Sequence, residues 1–291
     1  MVMRPSKTAF TLIELLVVIA IIALLIAIII PALNLAKKKA AAAACVANIK
    51  TLSLGWFMYQ LDNSGRIMSA KMEARENGTT VGWIGTPRER DGTQLPGSAM
   101  ERSSPPVTDE HEIRGIERGV LHPYIKAPKA YHCPRDELRS KYDGTPHFVS
   151  YGLAACLYGF EKGEQEYNRQ ILNFNQITSP ALRYNFVEVA DMRNWNMRGR
   201  FILGAPEYTG RTEWLWWKPM AVNHGDSGVL GFCDGHAEVH KWRDPFTIER
   251  VMRLIRDNVD SYGTAAPPPS QQSDISYMAQ GWPYRFNRNI R

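Results

Sequence analysis

From Leu15 to Ile30 the chain reads LLVVIAIIALLIAIII, sixteen apolar residues without a break, and nothing comparable recurs in the remaining sequence. An amphipathic helix keeps one apolar stripe; a run that is apolar all round has to be covered on every side, by lipid or by other helices. Counted from Phe10 to Leu33 the segment is interrupted only by Thr11, Glu14 and Pro31. As a helix it would be about 36 Å long at 1.5 Å per residue, enough to cross a hydrocarbon core of roughly 30 Å. The composition of the whole chain is otherwise ordinary, 44% hydrophobic and 22% charged over 291 residues. Those averages exclude a polytopic membrane protein and a disordered chain, and the length allows one or two domains. A net charge of +6 is a mild basic bias that permits acidic partners without demanding them.

The flanks of the run separate three readings: a removable secretory signal, a plain anchor, or a segment with work of its own. A secretory signal has a shorter apolar region followed by a small-residue cleavage site, whereas this run continues into Lys37, Lys38 and Lys39. Glu14 is the misfit. A carboxylate in a membrane helix costs about 2–3 kcal/mol on insertion scales, less near the interface. The favourable interaction of a first-turn acid with the helix dipole, typically about 0.3–1 kcal/mol, does not offset that, so Glu14 needs a better partner.

Taken from Ala9, the stretch AFTLIELLVVIAIIALLIAIIIPAL resembles the processing signal of type IV pilins and type II secretion pseudopilins. The resemblance implies a cut between Ala9 and Phe10 by a prepilin peptidase/methyltransferase and N-methylation of Phe10. It implies that Glu14 pairs with the N-terminal amine of a neighbouring subunit, an ion pair buried among packed helices. Breaking such a pair typically costs about 3–5 kcal/mol. Pro31 matches the family proline and would loosen the helix, because proline removes one helical hydrogen bond. One departure is Ala9, where the family usually has glycine. Arg4 and Lys7 form the basic leader, and Lys37–Lys39 would lie on the exported side against the positive-inside tendency, so the leader has to set the orientation.

The segment ALNLAKKKAAAAACVANIKTLSLGWFMYQLDN continues in strong helix formers. Val46, Ile49, Leu52, Trp56 and Tyr59 recur at three- or four-residue steps and give one apolar face; Asn63, Ser64 and Gly65 supply the stop. A helix from Phe10 to Asp62 would run about 80 Å. The rest reads as a mixed head. Thr79–Gly85, Phe148–Ala154 and Arg183–Ala190 have strand character, Thr108 caps a short helix, and Asp244-Pro245 starts another. The sequence predicts an α+β, pilin-like fold: a long N-terminal helix, then a globular head with antiparallel sheet. The expected divisions are a leader over 1–9, a transmembrane or filament-core helix over 10–33, and its amphipathic continuation over 34–63. A head follows over 64–262, then a linker and tail over 263–291, with Ala265–Ser273 of linker composition.

The clearest local signal in the head is Gly228–Trp242. Asp234-Gly235 between two strand-like runs is a two-residue hairpin signal, which places Cys233 opposite His236 and Leu230 opposite Val239. Leu230, Phe232, Ala237 and Val239 would share the buried face, with His236, Glu238 and His240 on the other. His224 precedes Asp234-Gly235 with nine residues between. This H-x9-DG pattern over 224–242 resembles the C-terminal signature of a large group of pilin-like proteins, and Leu121–Glu137 resembles that group's Cys-Pro stretch.

Chemistry is sparse by comparison. Asp226, His236, Glu238 and His240 are candidate metal ligands by residue type, although alternating polar residues are what a solvated strand face shows anyway. Some pseudopilins carry a structural calcium, which the resemblance allows through Asp226, Asp234 and Glu238; no cofactor is required. His224 and Asp234 read first as a loop-fixing and a turn residue. Cys45, Cys133, Cys156 and Cys233 would be exported to an oxidising space, where four cysteines allow three pairings; buried free thiols are the alternative. No G-x-S-x-G, HExxH or paired CxxC is present, so an enzyme is not expected. The basic residues are dispersed and nucleic acid is not an expected partner. The resemblance implies a single-pass cytoplasmic-membrane subunit, N-terminus inside and head periplasmic or extracellular. It would polymerise with its own kind or with other pilin-like subunits and act with a secretion or pilus machine. The competing readings are a membrane-anchored exported metal-dependent enzyme or binding protein, and a surface adhesion or DNA-uptake pilin.

Overall fold

The computed structural model describes residues 12–95, 107–138, 144, 147–160, 169–190, 199–257 and 265–283. Helix α1 runs from Leu12 to Asp62 with Pro31 inside it, and ends where Gly65, at φ +79°, donates back to the Gln60 carbonyl (2.8 Å). The chain divides into two compact units, residues 1–40 and 41–291. In the first unit every described residue is exposed, Leu12 through Leu35 included. That stretch carries the apolar run and makes α1 long and apolar enough to cross a membrane.

The second unit is α+β. It contains β1 (Arg75–Glu76), β2 (Thr79–Thr80), α2 (Asp109–Ile116), β3 (Tyr151–Ala154), β4 (Tyr184–Glu188), β5 (Arg200–Phe201) and β6 (Leu203–Gly204). A single-turn α3 (Pro206–Thr209), β7 (Leu215–Trp216), β8 (Ser227–Phe232), β9 (Ala237–Lys241), α4 (Pro245–Asp257) and α5 (Ser273–Gly281) complete it. Five strands form the main sheet in the order β5-β3-β4-β8-β9. All its pairings are antiparallel except β3 with β5. The expected strand over Thr79–Gly85 contracts to two residues, because Val81 and Gly82 both donate to the Ala74 carbonyl and turn the chain.

The latter part of α1, from Ala41, buries Cys45, Ile49, Leu52, Ser53, Gly55, Trp56 and Gln60, with Ile49 and Ser53 against this sheet. The face is centred one residue from the expected line: Cys45 is fully buried while Val46 and Tyr59 are only partly covered. Contact is close at β8. A Cβ on Gly231 would lie 2.4 Å from Ile49 Cγ2 and 2.7 Å from Ser53 Oγ, so only glycine allows the helix this near. Ser53 Oγ in turn donates to Asn185 Oδ1 on β4 (3.0 Å).

The β8–β9 hairpin is where expected, but its register differs by one residue. Leu230 pairs with Glu238, Val229 with Val239 and Gly231 with Ala237. The loop has three residues, Cys233-Asp234-Gly235. Gly235 takes φ +95° and donates to the Phe232 carbonyl (2.9 Å), while Phe232 N–H donates to the His236 carbonyl (2.9 Å). A type I turn followed by a left-handed glycine is the usual geometry of three-residue hairpins. The one-residue slip exchanges the faces of β9 relative to β8. Glu238 and His240 therefore share a face with Leu230, and that face is covered by α5: Tyr277 stacks on His240 at 3.9 Å and donates its hydroxyl to Glu238 (2.7 Å).

Residues 265–283 are built into the head. Ala265 bridges to Trp216, and Ile275, Met278 and Trp282 are buried, Trp282 packing on Tyr184 and Phe201. Asp274 accepts from the backbone N–H of Arg243 and Asp244, and Asp244 accepts from Asp274 N–H, which ties the starts of α4 and α5 together.

Candidate functional site

Two features stand out. The first is the exposed apolar stretch of α1. Glu14 lies in its first turn, where a carboxylate favours the helix dipole, and Pro31 interrupts its hydrogen bonding. Ala9 and Phe10, the expected cleavage and methylation positions, lie outside the described residues.

The second lies inside the head. Cys45 from α1, Cys133 just after the 3-10 turn Pro128–Tyr131, Glu188 at the end of β4 and His224 in the turn before β8 converge. One ligand atom from each falls within 4.8 Å of all the others, and all four residues are buried. His224 Nε2 is 3.7 Å from Cys133 Sγ and 3.3 Å from Glu188 Oε1. Each of the four separated segments is held in place by its own contacts. Cys45 occupies the buried face of α1, and Cys133 is anchored by its N–H donating to Ser150 Oγ (2.9 Å). Glu188 holds β8 by accepting from Val229 N–H (3.1 Å). Asn223 donates to the other carboxylate oxygen (3.0 Å), and the Glu188 carbonyl accepts from Ala221 (2.9 Å).

The electrostatics follow from burial. Desolvation opposes a charged imidazole at His224, but Cys133 and Glu188 beside Nε2 outweigh it and raise the pKa to about 9. The Cys133 thiol is pushed up by its contact with Cys45 and by burial, and the Tyr151 hydroxyl next to Cys45 is raised chiefly by burial. Thiol, imidazole and carboxylate donors aimed at one point could hold a metal ion.

The other sequence candidates are dispersed. Asp226 sits in the turn before β8 at φ +56° and accepts from Trp242 N–H through its carbonyl (2.8 Å). His236 stacks on Phe232 (4.2 Å) and pairs with Asp234, which also accepts from His236 N–H (3.1 Å). Glu238 and His240 are engaged by Tyr277, and burial lowers the His240 pKa. All four cysteines are free thiols and buried. Burial raises the pKa of both Cys156 and Cys233, and each lies close to other titrating groups rather than to the Cys45–Cys133 cluster. Sequence reasoning did not single out Glu188. Its one signal is an acid embedded in the apolar strand RYNFVEVA.

Residues 4–30 match the model of the prokaryotic N-terminal methylation motif. The chain has no match among the curated proteins or the solved structures compared with it. The motif gives the chain a type IV pilin- or pseudopilin-like N-terminus. It implies processing by a prepilin peptidase and assembly with pilin-like subunits. The apolar helix and the motif are together consistent with anchoring in the inner membrane.

Proposed function

We propose that this chain is a pseudopilin or pilin-like structural subunit of a type II secretion or type IV pilus-like filament. The observation that carries the reading is the coincidence of the methylation motif over residues 4–30 with a helical stretch whose apolar side chains are all exposed. Burying one large aliphatic side chain is worth about 1.5–3 kcal/mol, so an uncovered run of this length stands to gain tens of kcal/mol from lipid or from neighbouring helices. In this reading the peptidase cuts between Ala9 and Phe10 and Phe10 is methylated. Residues 10–33 lie first in the cytoplasmic membrane and then in the filament core, N-terminus inside. Residues 34–63 carry the helix into an exported head over 64–262, followed by the linker and tail over 263–291, of which 265–283 pack on the head.

Glu14 sets subunit register by pairing with the amine of a neighbouring Phe10, and Pro31 lets the helix loosen during assembly. The resemblance of the H-x9-DG pattern to that of other pilin-like proteins supports the reading of the head. His224 anchors the approach to β8 through Glu188, and Asp234-Gly235 forms the turn that ends it. The role is structural.

Glu14→Ala tests the proposal. The variant should still insert in the membrane but should be recovered in sheared or purified filaments at a small fraction of the wild-type level. Normal incorporation of the variant would remove the ion pair from the account.

A further inference from the structure

We infer that Cys45, Cys133, Glu188 and His224 form a structural zinc site that fastens α1 to the sheet. The donor set is two sulfurs, one imidazole nitrogen and one carboxylate oxygen, which suits zinc; calcium and magnesium take oxygen donors. The spacing fits as well. With zinc–ligand lengths of about 2.3 Å to sulfur and 2.0–2.2 Å to nitrogen and oxygen, a regular tetrahedron has edges of about 3.6 Å for S···N and about 3.4 Å for N···O. The corresponding separations are 3.7 Å for Cys133 Sγ to His224 Nε2 and 3.3 Å for His224 Nε2 to Glu188 Oε1, before any metal draws the ligands in. The remaining pairs lie within 4.8 Å, a short collapse from a tetrahedron.

The surroundings are arranged for anionic ligands. Arg135 N–H, two residues beyond Cys133, donates to Cys133 Sγ (3.4 Å), and the Asn223 amide reaches the same sulfur (3.8 Å) and Glu188 Oε1 (3.0 Å). Val229 N–H holds Glu188 Oε2 (3.1 Å), which turns Oε1 towards His224 Nε2 (3.3 Å) with a lone pair for the metal beside the one that accepts from Asn223. Such outer partners orient ligands and raise metal affinity. On binding, the two thiols release their protons, His224 coordinates through Nε2 with its proton on Nδ1, and Glu188 binds as the carboxylate. Four protein ligands in a buried site leave no open position, which marks a structural centre. A Cys45–Cys133 disulfide is the competing chemistry. It would use neither the imidazole nor the carboxylate, nor the donors aimed at Cys133 Sγ.

The test uses the full-length chain in detergent. Metal analysis of protein purified without chelator should find one zinc per chain. Zinc removal under reducing conditions, followed by cobalt(II), should give the intense visible bands of tetrahedral cobalt and ultraviolet thiolate-to-cobalt charge transfer. Cys45→Ser should roughly halve the charge-transfer intensity, one thiolate remaining of two, and Glu188→Gln should weaken zinc binding about tenfold or more. Cys233→Ser should change neither. The inference is overturned if the reduced wild-type chain gives no thiolate–cobalt charge transfer, a result that does not depend on any variant folding. It is overturned equally if peptide mapping of the isolated protein finds Cys45 disulfide-bonded to Cys133.

Discussion

Replacing Gly231 with alanine probes how tightly α1 is seated on the sheet. The new Cβ would stand 2.4 Å from Ile49 Cγ2, 2.7 Å from Ser53 Oγ and 3.0 Å from Asn185 Oδ1. Cγ2 of a β-branched side chain cannot swing away without an unfavourable rotamer, so helix and strand must separate. Overpacking of this kind costs about 1–3 kcal/mol. Ile49→Ala removes the obstructing methyl from a fully buried residue and by itself costs about 2–5 kcal/mol, transfer plus cavity. In the double variant the methyl added at position 231 enters the space that the Ile49 side chain vacates, so the two costs should not add. The coupling should be favourable by about 1–3 kcal/mol, the range of contacting residues. Urea unfolding of the full-length chain in mild detergent, followed by tryptophan fluorescence, measures all four corners of the cycle. Additivity within about 0.5 kcal/mol would mean that Ile49 and Gly231 do not touch and that the docking of α1 on β8 is wrong.

Two further outcomes follow from the head. Trp282→Ala, at a fully buried position against Tyr184 and Phe201, should cost about 3–5 kcal/mol; a loss under about 1 kcal/mol in the same assay would detach α5 from the core. Glu73 is partly buried, which raises its pKa, but Thr86 N–H, Arg88 and Arg75 hold it below the usual value of 4.5. A lowered folded-state pKa contributes stability that is complete above the unfolded value and fades as pH falls through the folded one. Glu73→Gln should therefore destabilise the head by about 1–2 kcal/mol near neutral pH and converge with the wild type in acid. A gap independent of pH would refute the ion-pair reading of Glu73.

The helix and the hairpin were legible because their signals are local: alanine, leucine and lysine with three- and four-residue apolar steps for α1, and Asp234-Gly235 for the turn. The register of β9 was not: a two-residue Asp-Gly turn needs φ > 0 at both residues, and of the two only Gly235 takes it, so the loop has three residues and every partner moves by one. The role of Ser273–Gly281 was hidden behind the proline-rich AAPPPSQQS. What decides its placement is tertiary, the burial of Met278 and Trp282 and the exchange between Asp244 and Asp274. The internal cluster was the least legible feature. Cys45, Cys133, Glu188 and His224 are scattered along the chain, and only the stacking of α1 on β4 and β8 brings them together. The parallel pairing of β3 with β5 likewise follows from chain routing that no short pattern encodes.

Everything proposed for the first forty residues depends on how the N-terminus is made. Mass spectrometry of the protein from its native membrane measures this directly. The account predicts a chain that begins at Phe10 and carries one N-methyl group. An intact Met1, or a cut in the alanine run at Ala40–Ala44, would contradict it.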